Sequence, residues 1–133
     1  MNISQLPNDE LVYTLLQKGL DTSQARSSAT AENISNINTK GYKRKYVTFE
    51  ENLKKSMDDL ELKTDDEKHM KIDSDYGSVE LETDNSTSMR EDGNNVDIDN
   101  EMVNQSANAL MYNALVTQIN SRLAMKRYVI DGR

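Results

Sequence analysis

The sequence predicts a mainly α protein: two long terminal helices pairing as a coiled coil, with a small irregular middle region holding a short helix and a β-hairpin. Three observations carry this. Apolar residues recur at heptad spacing through both ends of the 133-residue chain. Leu, Ile, Val and Phe together number only 27, about one fifth of the chain, which is marginal for a self-sufficient core. With no Trp, one Phe, one Pro and five Gly, a sandwich, barrel or doubly wound sheet would lack core residues and turn punctuation.

The first element is a helix over residues 9–36, opened by Asn8, Asp9 and Glu10, whose oxygens and charge suit a first turn. Leu16, Leu20, Ser23, Ser27, Thr30, Ile34 and Ile37 follow at steps of four and three, with Leu11, Leu15, Ala25 and Ala29 beside them. The middle of this seam is small and polar, so it permits close approach while burying little area, and the isolated helix is marginal. Residues 31–45, AENISNINTKGYKRK, then specify a chain reversal: Asn33, Asn36, Asn38 and Thr39 bond readily to nearby backbone, Gly41 accepts a positive φ, and Tyr42 anchors the exit.

In the middle region, Thr48 and Glu51 form a capping-box pattern ahead of Phe49, Leu53 and Met57, which predicts a helix of two or three turns. Val79, Leu81 and Thr83 alternate with polar residues, as do Met70 and Ile72, predicting one small hairpin across a loose turn at 73–77. Residues 83–95 read as a polar loop.

The last element, a helix over 99–130, has the cleaner heptad: Met102, Ala109, Val116, Leu123 and Ile130 at sevens, with Gln105, Tyr112, Ile119 and Lys126 between. Val103, Leu110, Met111 and Leu115 widen the apolar surface beyond what one partner helix covers. Asp97 or Asp99 caps its start, and Arg122, Lys126 and Arg127 complement the dipole near its end. The chain thus divides into 1–47, 48–96 and 97–133.

Charge follows the same division. The net charge of -7 is distributed as about +2 over residues 1–48, -12 over 49–101 and +3 over 102–133. No long basic face is available to displace counterions from phosphates, which argues against nucleic acid as a partner. The absence of Cys excludes disulfides, thiolate metal sites and a Cys nucleophile. His69 has no second His and no serine elbow, and the pairs Asp73 with Asp75 and Asp97 with Asp99 lack the Gly and Glu of a calcium loop. The glycines are scattered, so no phosphate loop forms. These patterns predict no catalytic residue, no metal, no cofactor and no small-molecule ligand. Residues 1–20 carry Asp9 and Glu10 and no long apolar run, predicting neither a Sec-type signal nor a membrane span.

Ala31, Asn33, Ile34, Asn36, Thr39, Gly41 and Tyr42 resemble the N-terminal motif of the bacterial flagellar axial proteins, the rod and hook family. Ser35 and Lys40 depart from that motif's small residue and proline. Gly93, Asn94, Val96, Asp97, Glu101 and Met102, followed by a long helix with Tyr112 and Leu115, resemble the C-terminal signature of short rod members of the same family. The resemblance implies a non-enzymatic subunit of the basal body, exported by the flagellar type III apparatus, whose terminal helices stack with those of neighbours into a tube. It implies as partners copies of itself, other rod proteins, a FliE-like adaptor, the membrane ring and the export gate. Leu16, Leu20, Ile34, Ala109, Tyr112, Val116, Ile119, Leu123 and Ile130 are then the expected assembly seam. Two other readings fit the same helices, another axial component or a cytosolic helical chaperone or adaptor, the latter marked by a stable helical dimer.

Overall fold

The computed structural model describes residues 8–61, 77–87 and 90–132. Two helices dominate it: α1, Asn8–Ser35, of 28 residues and α3, Ile98–Asp131, of 34 residues, about 42 and 51 Å long at 1.5 Å per residue. They lie antiparallel. Asn33 meets Glu101, Ser23 meets Asn108, Gly19 packs on Leu115, and Lys126 lies over the Tyr13 ring 5.4 Å from its centroid. Both expected terminal helices are therefore present, with ends within a residue or two of the predicted ones.

The α1 side of this contact follows its small-residue middle, with Thr22, Ser23, Ala29, Thr30 and Asn33 buried and Leu16, Leu20 and Ile34 half-buried. On α3 the within-chain seam runs through Glu101, Asn108, Leu115 and Arg122, at steps of seven. It lies one position over from the expected heptad. Val116 and Ile119 are half-buried, while Met102, Ala109, Tyr112, Leu123 and Ile130 are exposed. α1 contacts a single strip of α3, and the small side chains of α1 let the backbones approach without wrapping round it.

Between the helices come strand β1, Lys45–Thr48, helix α2, Glu50–Glu61, and strand β2, Glu80–Thr83. β1 and β2 pair antiparallel, Lys45 opposite Thr83 and Thr48 opposite Glu80. The strand at 80–83 exists and pairs with β1; its expected hairpin partner, Met70 and Ile72, lies outside the described residues together with His69, Asp73 and Asp75. One expectation is corrected here. Thr48 does not cap α2: it is the last residue of β1, its hydroxyl donates to Glu82 at 3.1 Å, and α2 begins at Glu50. Tyr46 also donates to Glu82, at 2.8 Å, so one carboxylate holds two alternate side chains on the same face of β1 and fixes the strand register. A capping hydroxyl and a ladder hydroxyl use the same atom, and the cross-strand partner wins here.

The buried apolar residues among those described are Ala29, Val47, Phe49 and Val96. Phe49 is closed over by Gly77, φ +67°, where an added Cβ would sit 2.8 Å from the ring; no larger residue fits. Lys18 of α1 donates to the Gly77 carbonyl at 3.3 Å and ties this loop back to the helix pair. Among the described residues, no helix is long and apolar enough to cross a membrane.

Candidate functional site

The two motifs singled out in the sequence, 60 residues apart, meet in one hydrogen-bonded clamp where α1 ends and α3 begins. Its first centre is Asn33, fully buried on the last turns of α1. The side-chain amide of Asn33 donates to the Lys45 carbonyl at 2.7 Å and accepts from the Lys45 N–H at 2.9 Å. A carboxamide has the same donor and acceptor pair as a peptide group, so Asn33 acts as a one-residue strand against the edge of β1. The Asn33 nitrogen also donates to Glu101 Oε2 at 3.1 Å, and its oxygen accepts from the Tyr42 hydroxyl at 3.2 Å. Both ends of the amide are occupied, which satisfies the requirement for burying it.

Asn94, also fully buried, is the second centre. The Asn94 side-chain nitrogen lies 2.9–3.0 Å from the carbonyls of Asn36, Ile37 and Thr39 in the turn that follows α1 and donates to this cluster, in which the Asn36 and Thr39 carbonyls also accept the Thr39 and Tyr42 N–H groups. Its oxygen accepts from the Val96 N–H at 2.8 Å. One residue of the C-terminal signature therefore holds the turn that follows the N-terminal helix. Gly41, φ +73°, makes the reversal between them possible, and its N–H donates to the Asp92 carbonyl at 2.8 Å. The Asp92 carboxylate accepts from the Asn94 N–H, and chiefly this bond holds its pKa below the ordinary carboxylate value.

Glu101, 1% exposed, closes the clamp from α3. Its carboxylate takes Arg44 Nε at 2.6 Å on one oxygen and Asn33 on the other. Arg44 also lies 5.9 Å from the Tyr46 ring centroid, and its backbone N–H donates to Asn95 Oδ1 at 2.7 Å. Asn95 in turn donates to the Asp84 carbonyl, while the Asp84 N–H donates to the Arg44 carbonyl, so Arg44, Asp84 and Asn95 are tied to one another. Asp97 caps α3, accepting from the Asp99 and Asn100 N–H groups. Tyr42 has its hydroxyl pKa raised, first by burial and then by the nearby Glu32 and Glu101 charges.

Asn33, Asn36, Thr39, Gly41 and Tyr42 of the first motif and Asn94, Val96 and Glu101 of the second thus come together. Ala31 is exposed, Ile34 and Gly93 are half-buried at the edge, and Met102 points outward. Arg44, Lys45 and Asn95 were absent from the expected set, because a cation or an amide beside a turn looks like surface until its partner is known. Adjacency of Asn94 and Asn95 was the available signal. The clamp is built chiefly from the Asn33 and Asn94 amides and the Arg44–Glu101 ion pair, groups suited to holding backbone.

A second feature is exposure along α3. Val103, Leu110, Met111, Met125, Tyr128, Val129 and Ile130 are all solvent-accessible in the single chain, Val129 and Ile130 by more than four fifths. So much apolar surface on one helix marks an interaction surface.

A family model described as flagella basal body rod protein matches residues 15–43, which span most of α1 and the reversal. Over its length the chain is similar to the flagellar basal body rod protein FlgB of Bacillus subtilis (strain 168), at 30% identity covering 88% of this chain and 91% of that protein. It is similar to FlgB of Borrelia hermsii at 32% identity over 84% of this chain and 89% of the relative, and to FlgB of Proteus mirabilis (strain HI4320) at 34% over 92% and 95%.

Proposed function

The chain belongs to the FlgB family of flagellar basal body rod proteins, a structural component of the rod and not an enzyme, and from that premise we propose how its parts divide the work. The family implies other rod components as partners. The terminal segments 1–47 and 97–133 build the rod wall, and the acidic middle, 48–96, lies outside it. The axial motif and the C-terminal signature act as the clamp that sets the angle and register of α1 against α3, so that every copy presents the same surface to its neighbours. Leu16, Leu20, Ile34, Ala109, Tyr112, Val116, Ile119, Leu123 and Ile130 form the seam between subunits.

The observation that supports this reading best is the apolar exposure of α3 beside a fully bonded clamp: the fold specifies helix orientation with polar groups and leaves apolar area for other chains. Contacts between copies join different surfaces and so build an open helical array. The finer partners are further copies of this chain, a FliE-like adaptor, the membrane ring and the export gate at the rod's base, reached through the flagellar type III apparatus. The test is mass spectrometry of detergent-extracted, purified hook-basal bodies, with motility of a strain lacking the gene. Presence in the particle and loss of motility on deletion are expected. Recovery only from the soluble cytoplasmic fraction, as a stable helical dimer, would instead establish a chaperone or adaptor.

A further inference from the structure

Beside the α1–α3 contact runs a groove of about 330 Å³ whose lining includes Ser23, Ser27, Gln105, Ala109 and Tyr112. Its floor is set by the Ser23–Asn108 exchange, in which the Ser23 hydroxyl donates to Asn108 Oδ1 at 2.9 Å and Asn108 Nδ2 donates to the Ser23 carbonyl at 2.8 Å. These two bonds lock the floor, and the small side chains of Ser27 and Ala109 keep the walls apart, so the concavity belongs to the fold. Tyr112, 45% exposed, stands at the rim. The opposite flank of the pair has its own recess, but there β1 forms one wall, with Arg44 and Lys45 already in ion pairs with Glu101 and Glu32.

The same chain carries a matching convex feature. Leu110 follows Glu101 by nine residues, which at about 100° per residue places it half a turn away from the face that meets α1. It is 72% exposed, with Ala107 and Ala114 one turn to either side, so it projects as a knob; Val103 and Tyr128, 67% exposed, continue the ridge.

We propose that the groove beside Ser27 and Ala109 receives the Val103–Leu110 ridge of α3 from a second copy of this chain. Hole and knob lie at the same height along the helix pair and on different faces. One copy can seat its ridge in a neighbour while its own groove stays open for a third. That contact is heterologous and repeats without closing, whereas in a two-fold dimer the groove and the ridge of each copy would have to engage the same neighbour reciprocally, which their placement on different faces opposes. The polar floor and apolar knob give the packing of a small-residue seam: close backbone approach with one large side chain per hole. The inference rests on the rod-subunit reading and names the surfaces through which that subunit meets its own kind.

The chain has no cysteine, so engineered thiols report the contact without background. Full-length Ser27→Cys and Leu110→Cys chains, carrying different tags and co-expressed, are recovered in basal bodies and treated with a mild oxidant. The expected result is a mixed disulfide between the two tags, with no adduct when either variant is expressed alone. Gln24→Cys, at another residue lining the groove one turn from Ser27, with Leu110→Cys is a second pair across the same contact, in case Ser27→Cys fails to incorporate. Incorporation of either pair without a mixed adduct overturns the groove assignment and leaves the rod role standing. Adduct formation by Ser27→Cys alone overturns it in favour of a two-fold contact. Absence of the unmodified chain from basal bodies overturns the rod role itself.

Discussion

Asn33 shows why its position requires an amide and not merely a polar residue. Its nitrogen faces the Lys45 carbonyl and Glu101, and its oxygen faces the Lys45 N–H and the Tyr42 hydroxyl. In Asn33→Asp the shape survives, but an acceptor replaces the donor opposite a carbonyl and a second carboxylate faces Glu101. A buried group left unsatisfied costs about 1–3 kcal/mol, more when charged, so about 3 kcal/mol or more of clamp stability should be lost, seen as a fall in denaturation midpoint. Arg44→Ala should cost a comparable amount, about 3 kcal/mol, because it leaves the buried Glu101 carboxylate without its cation; Glu101→Gln in that background should recover part of it. In a double-mutant cycle, additive effects would contradict the pairing. The clamp also has an acid limit. Asp92 and Asp84 are held below their ordinary pKa mainly by backbone N–H bonds from Asn94 and Ser86, and Glu50 by the Arg26 hydrogen bond. A carboxyl whose folded pKa is depressed contributes stability present above its unfolded pKa and lost as pH falls through the folded one. Stability should therefore be flat from neutral pH to about 5 and decline below about pH 4. Unfolding midpoints measured across that range check the sign.

The elements differ in how much of them the sequence discloses, and the reason is the range of the interactions that make them. α1 and α3 are long, so their heptads average over several turns and their ends are marked by local chemistry at Asp97 and at the asparagine-rich reversal. β1 and β2 are four residues each and are separated by α2, so no local pattern announces their pairing; Tyr46 and Thr48 reveal it only through Glu82, 36 and 34 residues away respectively. The clamp was legible as two motifs but not as one site, since nothing in the spacing of Asn33 and Asn94 says that they cap the same reversal. The apolar excess of α3 was legible in its direction, because more than one stripe of a helix cannot be covered by a single small-residue partner. That excess gives the element's own prediction. Leu123 is 46% exposed in the single chain, so Leu123→Asp should change the unfolding midpoint little, within about 0.5 kcal/mol. A carboxylate forced into an apolar contact between chains costs several kcal/mol, so rod assembly should fail while the mutant is still exported. Basal bodies built from the mutant would show that the seam lies elsewhere on α3.

For the whole molecule, the relation between ordered length and core size is the controlling quantity. Helices of 28, 12 and 34 residues are anchored by four buried apolar side chains among the described residues, one of them an alanine. Fixing a residue's backbone costs about 1–2 kcal/mol, and burial of so few apolar groups does not offset that sum for helices of this length. The clamp secures orientation, but net hydrogen-bond gains are modest at about 1 kcal/mol each, and its exchange with solvent is open at the exposed residues around it. The missing stabilisation lies on the uncovered sides of α3, where Leu110, Met125, Tyr128, Val129 and Ile130 stand exposed among the described residues. Folding and assembly are then thermodynamically linked: each neighbour that covers part of α3 stabilises the ordered form by mass action. Circular dichroism of the isolated full-length chain should accordingly show less helix at micromolar concentration than the three elements contain, with the deficit shrinking as concentration rises. The acidic middle sets the salt response of the same curve. Net charge near -12 over residues 49–101 opposes crowding of those segments, so added salt should shift the transition to lower protein concentration. A dilute chain that is already fully helical, melts cooperatively and ignores both concentration and salt would mean that the described core suffices by itself, and the linkage of order to assembly would have to be abandoned.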